Sequence, residues 1–491
     1  MPEKNNKNEW EINIIPVGGF ANSYFSNSYS SYGNKNQAID MTDISLLDIN
    51  VLTQGPGAVD LTLGNNGVNG VITELVKSIL RTTTSTNVSF AIGKTLLQKI
   101  SATAVIDDAT WPYTITGTGA ITGYDLVHYN GKLLYSFFDA TVGGQIGSYN
   151  LNATFDDDYW TSTLSGTALQ SGVPYYFCVG NSKLFITNGR YVARLDDTTD
   201  DDKALDFFVD SVSVSLCFSN NRLKIAFNRP NVTGSNFNNS CVVTWNGVST
   251  SWEGTPVPIP GEIGALYSKN GVDYIWFKDG TNTGGYCFGY LSGGSVVLIR
   301  RYSGSLPSHT QVGEVYGFIG WLSSNKLILW GSGDKDEPVR MFQYMSPKLT
   351  TAGGWAAPFG SPLIASNTST TSYSLAVATG YSIASAYKTI VFDVAGVDSV
   401  SQIDDILVRT EQLSSGAKVD TTLTYNQGKS TSALTQIAYA TTNKTRHHIL
   451  GKSPTMELED FRLDLSWANG STSNPVKIRS IKIKGHFLLK N

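Results

Sequence analysis

Residues 181–197, NSKLFITNGRYVARLDD, hold a polar turn, an apolar run ending in Ile186, a second turn at Asn188-Gly189, and another run that stops at an acidic pair. Asn-Gly and related pairs supply the positive-φ residues that tight hairpins need, so the stretch reads as antiparallel strands folded back on one another. The same pattern recurs as VHYNGKLLYSF (127–137), CVGNSKLFIT (178–187), CFSNNRLKIAF (217–227), LYSKNGVDYIWF (266–277) and WLSSNKLILWG (321–331), with a weaker copy, SFAIGKTLLQKI, at 89–100. A second strand pair follows most copies, as in CVVTWNGVSTSWEG (241–254) and CFGYLSGGSVVLIRRY (287–302).

With Asp273-Tyr274 standing for the Lys-Leu of the other copies, the Leu or Tyr after each turn falls at 133, 184, 223, 274 and 327. These steps lie near the ~40 to 50 residues of a four-stranded propeller blade. One such sheet cannot bury both faces by itself, whereas blades stacked around a channel cover one another and leave short edges. The pattern predicts an all-β chain with a β-propeller of five or six irregular blades over residues 61–350. A large β-sandwich rich in hairpins is the alternative.

The bulk composition agrees with ordered β-structure. Only 15% of the 491 residues are charged, while Gly (48), Tyr (24), Phe (21) and Trp (10) are abundant, which is not the low-hydrophobicity, high-charge signature of disorder. A formal net charge of −4 without a basic block gives no electrostatic footprint for nucleic acid or anionic lipid. The opening MPEKNNKNEWEINIIP lacks the basic flank and apolar core of a secretory signal, and no run reaches the length of a membrane-spanning helix. The expected setting is therefore a cytoplasm. Cys178, Cys217, Cys241 and Cys287 each sit in an apolar or aromatic run and read as buried free thiols.

Three flanking parts complete the organisation. Residues 1–60 are polar and read as an extended N-terminal arm, either a loose tail or a strap that orders on a neighbour. VNGVITELVKSILR (68–81) carries Val71, Ile72, Leu75, Val76, Ile79 and Leu80 at helical spacing, predicting one short helix packed on the propeller or offered to a partner. LTTAGGWAAPFGSP (349–362) reads as a linker, and the alternating runs SYSLAVATG, YKTIVFDVAG, DDILVRTEQL, DTTLTYNQG, MELEDFRLDLSWANG and VKIRSIKIKGHFLL predict a C-terminal antiparallel β-sandwich over 351–491.

Traces of chemistry are few. The five histidines, His128, His309, His447, His448 and His486, form no metal-binding helix motif, and a strand through His447-His448 would point them to opposite faces. No nucleophile elbow, phosphate-binding loop or dinucleotide fingerprint occurs; GNNGVNG (64–70) lacks both the Lys and the preceding strand. The acidic stretches FDDDYW (155–160), LDDTTDDDK (195–203) and GDKDEP (333–338) read as solvated turns at blade edges, with ion binding as the other option. No residue is singled out as catalytic, cofactor-binding or metal-ligating, and no cofactor is implied. A glycosidase propeller would assemble its carboxylate pair from separate blades, so a carbohydrate-binding or carbohydrate-active propeller stays open.

The order of parts resembles the β-propeller virion proteins of tailed bacteriophages, among them tail nozzle and hub components. The resemblance rests on IDMTDISLLDINVLTQGPGAVDLT (39–62), the segment leading into SFAIGKTLLQKIS (89–101), the hairpin copies, and the closing FRLDLSW and VKIRSIKIKGHFLL. It implies a non-enzymatic structural protein, assembled in the host cytoplasm into the virion. Copies would form a ring around the DNA channel, tied by straps and offering a platform to adaptor, fibre or other tail proteins.

Overall fold

A computed structural model describes residues 9–14, 38–42, 44–45, 51–54, 57–60 and 62–63, and then 74–489 with internal gaps, the widest at 230–239, 304–311 and 331–340. The chain is built from antiparallel β-sheets. Among the described residues the one helical element is a single π-type turn, Tyr159–Thr163.

The β-propeller is present. Blade 1 is a six-stranded sheet assembled from Thr62–Leu63, Ser78–Arg81, Ser89–Ile92, Leu96–Ile100, Ala104–Val105 and Tyr113–Thr114. Blades 2 to 5 are four-stranded and run in chain order from inside to outside. Their innermost strands are Ile121–Tyr129, Phe177–Gly180, Val212–Ser219 and Ile263–Lys269, and their second strands are Lys132–Asp139, Lys183–Asn188, Arg222–Asn228 and Val272–Lys278. Blade 6 starts at Val312–Val315 and ends at Met341–Tyr344.

The hairpin pattern folds for the reason given by its turns. Asn130-Gly131, Asn181-Ser182, Asn220-Asn221 and Asn270-Gly271 all take positive φ, between 45° and 78°. That conformation matches the right-handed twist of the flanking strands. The strand registers pair Tyr129 with Lys132, Gly180 with Lys183, Ser219 with Arg222 and Lys269 with Val272. Asp273, not Tyr274, is thus the structural equivalent of Leu133, Leu184 and Leu223.

A seventh blade, one more than the five or six expected, lies where the sequence pattern shows no Asn-Gly turn. Ala352–Ala356, Leu363–Asn367 and Tyr373–Thr379 form a sheet whose fourth strand is Gly57–Asp60 from the N-terminal segment. The expected linker at 349–362 therefore supplies a strand, SYSLAVATG belongs to this blade and not to the sandwich, and the propeller extends past residue 350. Successive innermost strands lie side by side as far as blade 6, whose second strand, Phe318–Ser323, lies against Ala352–Ala356; Ala352–Ala356 in turn lies against Ser78–Arg81, which returns the ring to its start.

Two further expectations are corrected. Ser78–Arg81 is a strand paired with Ser89–Ile92, not the end of a helix. A short apolar run fits either period, and the waiting sheet edge decides it; residues 68–73, 75 and 76 of the expected helix lie outside the described residues. The arm, in its described parts, is not a free extension. Glu9–Ile14 pairs with Lys477–Leu489, Ala38–Thr42 with Ala384–Thr389, and Leu52–Gln54 with both Ile44–Ser45 and Lys477–Leu489.

These pairings make the N-terminal segment part of the C-terminal sandwich. One sheet holds Lys477–Leu489, Ser399–Thr410 and Arg446–His448 with three N-terminal strands, and the other holds Asp460–Ala468 between Ala384–Thr389 and Lys418–Tyr425. Strict alternation along DFRLDLSW and KVDTTLTY turns Phe461, Leu463, Leu465, Trp467, Val419 and Leu423 inward. Ile14 and Leu52 join the same core from the N-terminal side.

Candidate functional site

The acidic residues of the propeller do structural work that the sequence does not reveal. Asp157 receives hydrogen bonds from the Tyr113 hydroxyl (2.6 Å), the Tyr135 hydroxyl (2.5 Å) and the Thr116 amide (2.8 Å), which ties blade 1 to blade 2. Burial, with the Asp157 carboxylate beside it, pushes both phenols well above the usual tyrosine range. FDDDYW is therefore an anchor in its middle residue rather than a solvated turn. LDDTTDDDK is a turn only at its start: Thr199–Asp206 is the outer strand of blade 3, with Asp200, Asp201 and Asp202 half-buried and Asp201 3.4 Å from Arg194. GDKDEP lies outside the described residues.

Asp125 is a second buried carboxylate of this kind. It sits on the innermost strand of blade 2 and accepts from the Ser78 hydroxyl of blade 1 (2.8 Å), the Leu126 amide (2.9 Å) and the Phe177 amide of blade 3 (3.0 Å). One side chain thus joins the inner strands of three blades, and the charge-assisted bonds offset its burial. The only sequence trace is a lone Asp within ITGYDLVHY.

The second strands end in a recurring polar residue that holds nearby backbone. Asp139 accepts from the amides of Thr118 (2.7 Å), Gly119 (3.2 Å), Thr141 (2.7 Å) and Val142 (3.1 Å). Burial alone would raise its carboxyl, but the four amides together hold it below the usual range. Asn228 occupies the corresponding place in blade 4, accepting from the Ile263 amide (2.7 Å) and donating to the Ile263 carbonyl (2.8 Å) of blade 5.

The histidines do not converge. His128 is exposed and His309 lies outside the described residues. His447 is buried with Nε2 3.1 Å from the Thr410 hydroxyl, while His448 points out to Asp405 at 2.9 Å and His486 to Asp404 at 2.9 Å. The cysteines are free thiols; Cys217, Cys241 and Cys287 are buried and Cys178 is half-buried. Burial pushes Cys178 up to about 12 and Cys241 up to about 11, so both are protonated at neutral pH and are poor nucleophiles. Among the described residues no group of three or more His, Cys, Asp or Glu could hold a metal ion.

One cleft of about 470 Å³ opens on the outer face of the sandwich, lined by Thr422, Thr424, Thr431, Asp460, Arg462 and Asp464 over a floor of Val391 and Phe461. Alternation puts these polar side chains on one face, and register sets Thr422 opposite Asp464 and Thr424 opposite Arg462. The Arg462 guanidinium grips Asp464 through two bonds of 2.6 and 2.8 Å, and Thr424 adds a third at 3.1 Å. The result is a rigid planar polar surface flanked by hydroxyls. Two carboxylates against one guanidinium leave the lining net negative, which disfavours an anion.

No protein-family model matches the chain, and no curated protein matches it either. Solved structures match at low identity. An extracellular domain of a putative hybrid two-component system from B. thetaiotaomicron is 10% identical over 87% of this chain and 59% of that one, with a TM-score of 0.44. A second such domain from the same organism is 10% identical over 73% of this chain and 43% of that one, with a TM-score of 0.45. This chain thus spans about half the length of these two ectodomains. An exo-β-1,3-galactanase from Phanerochaete chrysosporium is 9% identical over 87% of this chain and the whole of that one, with a TM-score of 0.32.

Proposed function

We propose that the chain is a non-catalytic structural protein of a tailed-bacteriophage virion, a nozzle- or hub-like tail component that forms a ring around the DNA channel and carries other tail proteins. The observation behind this reading is the way one N-terminal segment binds both units: Leu52–Gln54 lies in the sandwich and Gly57–Asp60 closes the last blade. A segment shared by both units ties them together, which suits a load-bearing role better than a cleft that opens and shuts. The inner strands are also locked across blades by Asp125, and a net charge of −4 repels passing DNA.

The described N-terminal strands are used within the chain, so contacts between copies fall to other surfaces than the proposed strap. Electron microscopy of purified particles tests the reading. The expected result is the chain in a symmetric ring at the tail; a chain absent from particles, or monomeric at every concentration and able to degrade a polysaccharide, overturns it.

A second reading, a carbohydrate-binding module, draws on the Arg462–Asp464 cleft. It expects saturable binding of a neutral oligosaccharide that Arg462→Ala removes; a glycan array without signal ends it.

A further inference from the structure

Comparing equivalent positions in blades 2 to 5 exposes one irregular joint. Where blade 2 meets blade 3, Leu134 and Leu184 share an apolar core, and where blade 3 meets blade 4, Phe185 and Leu223 do the same. Strand register makes Lys224 the equivalent of Leu134 and Phe185, and Asp273 the equivalent of Leu184 and Leu223. Between blades 4 and 5 the apolar pair is thus replaced by a cation and a carboxylate, 4.0 Å apart. Leu133, Leu184 and Leu223 are each 0% exposed, and Asp273 is 9% exposed, so the charge occupies a core position.

The replacement is imperfectly compensated. Lys224 Nζ also donates to the Thr244 hydroxyl (2.9 Å), and Asp273 Oδ1 has no hydrogen-bond partner among the described residues. Separating an apolar pair exposes both members to water at a cost, whereas water entering here rehydrates two charges and satisfies a bare oxygen. The other end of the joint is held firmly by the paired Asn228–Ile263 bonds, and its middle by the Leu266 amide on the Ser215 hydroxyl at 2.9 Å.

We propose that the contact between blades 4 and 5 is the propeller's breathing seam, which parts at its Lys224–Asp273 end and pivots at Asn228 while the neighbouring joints stay shut. This does not depend on the virion reading. It describes a local opening of the kind that exposes a subset of buried groups well below the cost of global unfolding.

The chain carries its own probes. Cys217 lies opposite Lys224 and belongs to the core between blades 4 and 5, whereas Cys241 belongs to the core between blades 3 and 4. The native full chain is exposed to N-ethylmaleimide, and labelling of each cysteine is followed by peptide mass spectrometry and divided by its rate in the urea-unfolded chain. Cys217 should label at least tenfold faster than Cys241 on this scale. Lys224→Leu combined with Asp273→Leu should slow Cys217 at least tenfold, and Asp273→Asn, which leaves the lysine alone, should speed it. Equal protection of Cys217 and Cys241 in the native chain overturns the proposal, as does a Cys217 rate unmoved in either variant that folds. Should the double variant not fold, the native comparison and Asp273→Asn decide.

Discussion

The propeller and the sandwich are both antiparallel β-structure, yet they are put together in opposite ways. Each of blades 2 to 5 is made from one continuous stretch whose strands are joined in order. The sandwich draws its strands from both ends of the sequence, so that Trp10 lies opposite Gly485 and Leu52 opposite Ile478. Such contacts close very long loops, and their conformational entropy must be overcome before any pairing rewards it. The approach is close as well as distant: a Cβ at Gly485 would fall 2.3 Å from Trp10 Cζ2. Blades are therefore expected to form early and independently, and the sandwich late.

The sharpest way to break this contrast is to delete residues 1–14. Loss of the Glu9–Ile14 ladder and of buried Ile14 should weaken the sandwich by about 5 kcal/mol, with the propeller's urea transition unmoved. Equal shifts in both transitions would mean that the two units unfold as one. Asp125→Ala acts on the other side. It strands the Ser78, Leu126 and Phe177 donors, and should cost the propeller about 3 kcal/mol while leaving the sandwich transition in place.

A smaller effect should come from Asn220→Ala. Asn220 sits at φ 50°, where a Cβ without a compensating side-chain bond costs about 1 kcal/mol, read as a lower denaturation midpoint of the propeller alone. The smallest is a pH effect that separates the units. Burial first, then nearby Lys444, lowers the pKa of His447 in the folded sandwich below its usual 6.5. As pH falls through 6.5 the unfolded sandwich takes up a proton that the folded one refuses, so its stability declines. Asp139, held low, is a propeller contribution lost only as pH falls below the usual 3.8. Thermal midpoints followed from pH 7.5 to 5 should drop for the sandwich and stay level for the propeller.

The same contrast explains what could be read from the sequence. The hairpins of blades 2 to 5 are legible because the turn and both strands lie within a dozen or so residues. Even there, reading Asp273-Tyr274 as Lys-Leu slips by one position, since only the Lys269–Val272 pairing fixes the frame. The fourth strand of the last blade and the sandwich pairings of Glu9–Ile14, Ala38–Thr42 and Leu52–Gln54 are illegible because their partners lie hundreds of residues away, and no local pattern records them. Ser78–Arg81 reads as helical from its own apolar spacing, and only the sheet edge that claims it overrides that period. Asp125 and Asp157 looked ordinary because their importance comes from which strands they meet. Along the sandwich, by contrast, alternation in DFRLDLSWA and KIRSIKIKG marked the strands and their wet faces directly.

The two stitches made by Leu52–Gln54 and Gly57–Asp60 also bear on biosynthesis. These residues leave the ribosome before blades 2 to 5, whereas the segments they complete, Tyr373–Thr379 and Lys477–Leu489, follow those blades in the chain. Until then Gly57–Asp60 has no blade to complete and Leu52–Gln54 has only its local partner Ile44–Ser45, and a chain caught at that stage keeps bare strand edges open to chaperones and proteases. Shielding of those edges therefore waits until synthesis has passed Lys477–Leu489.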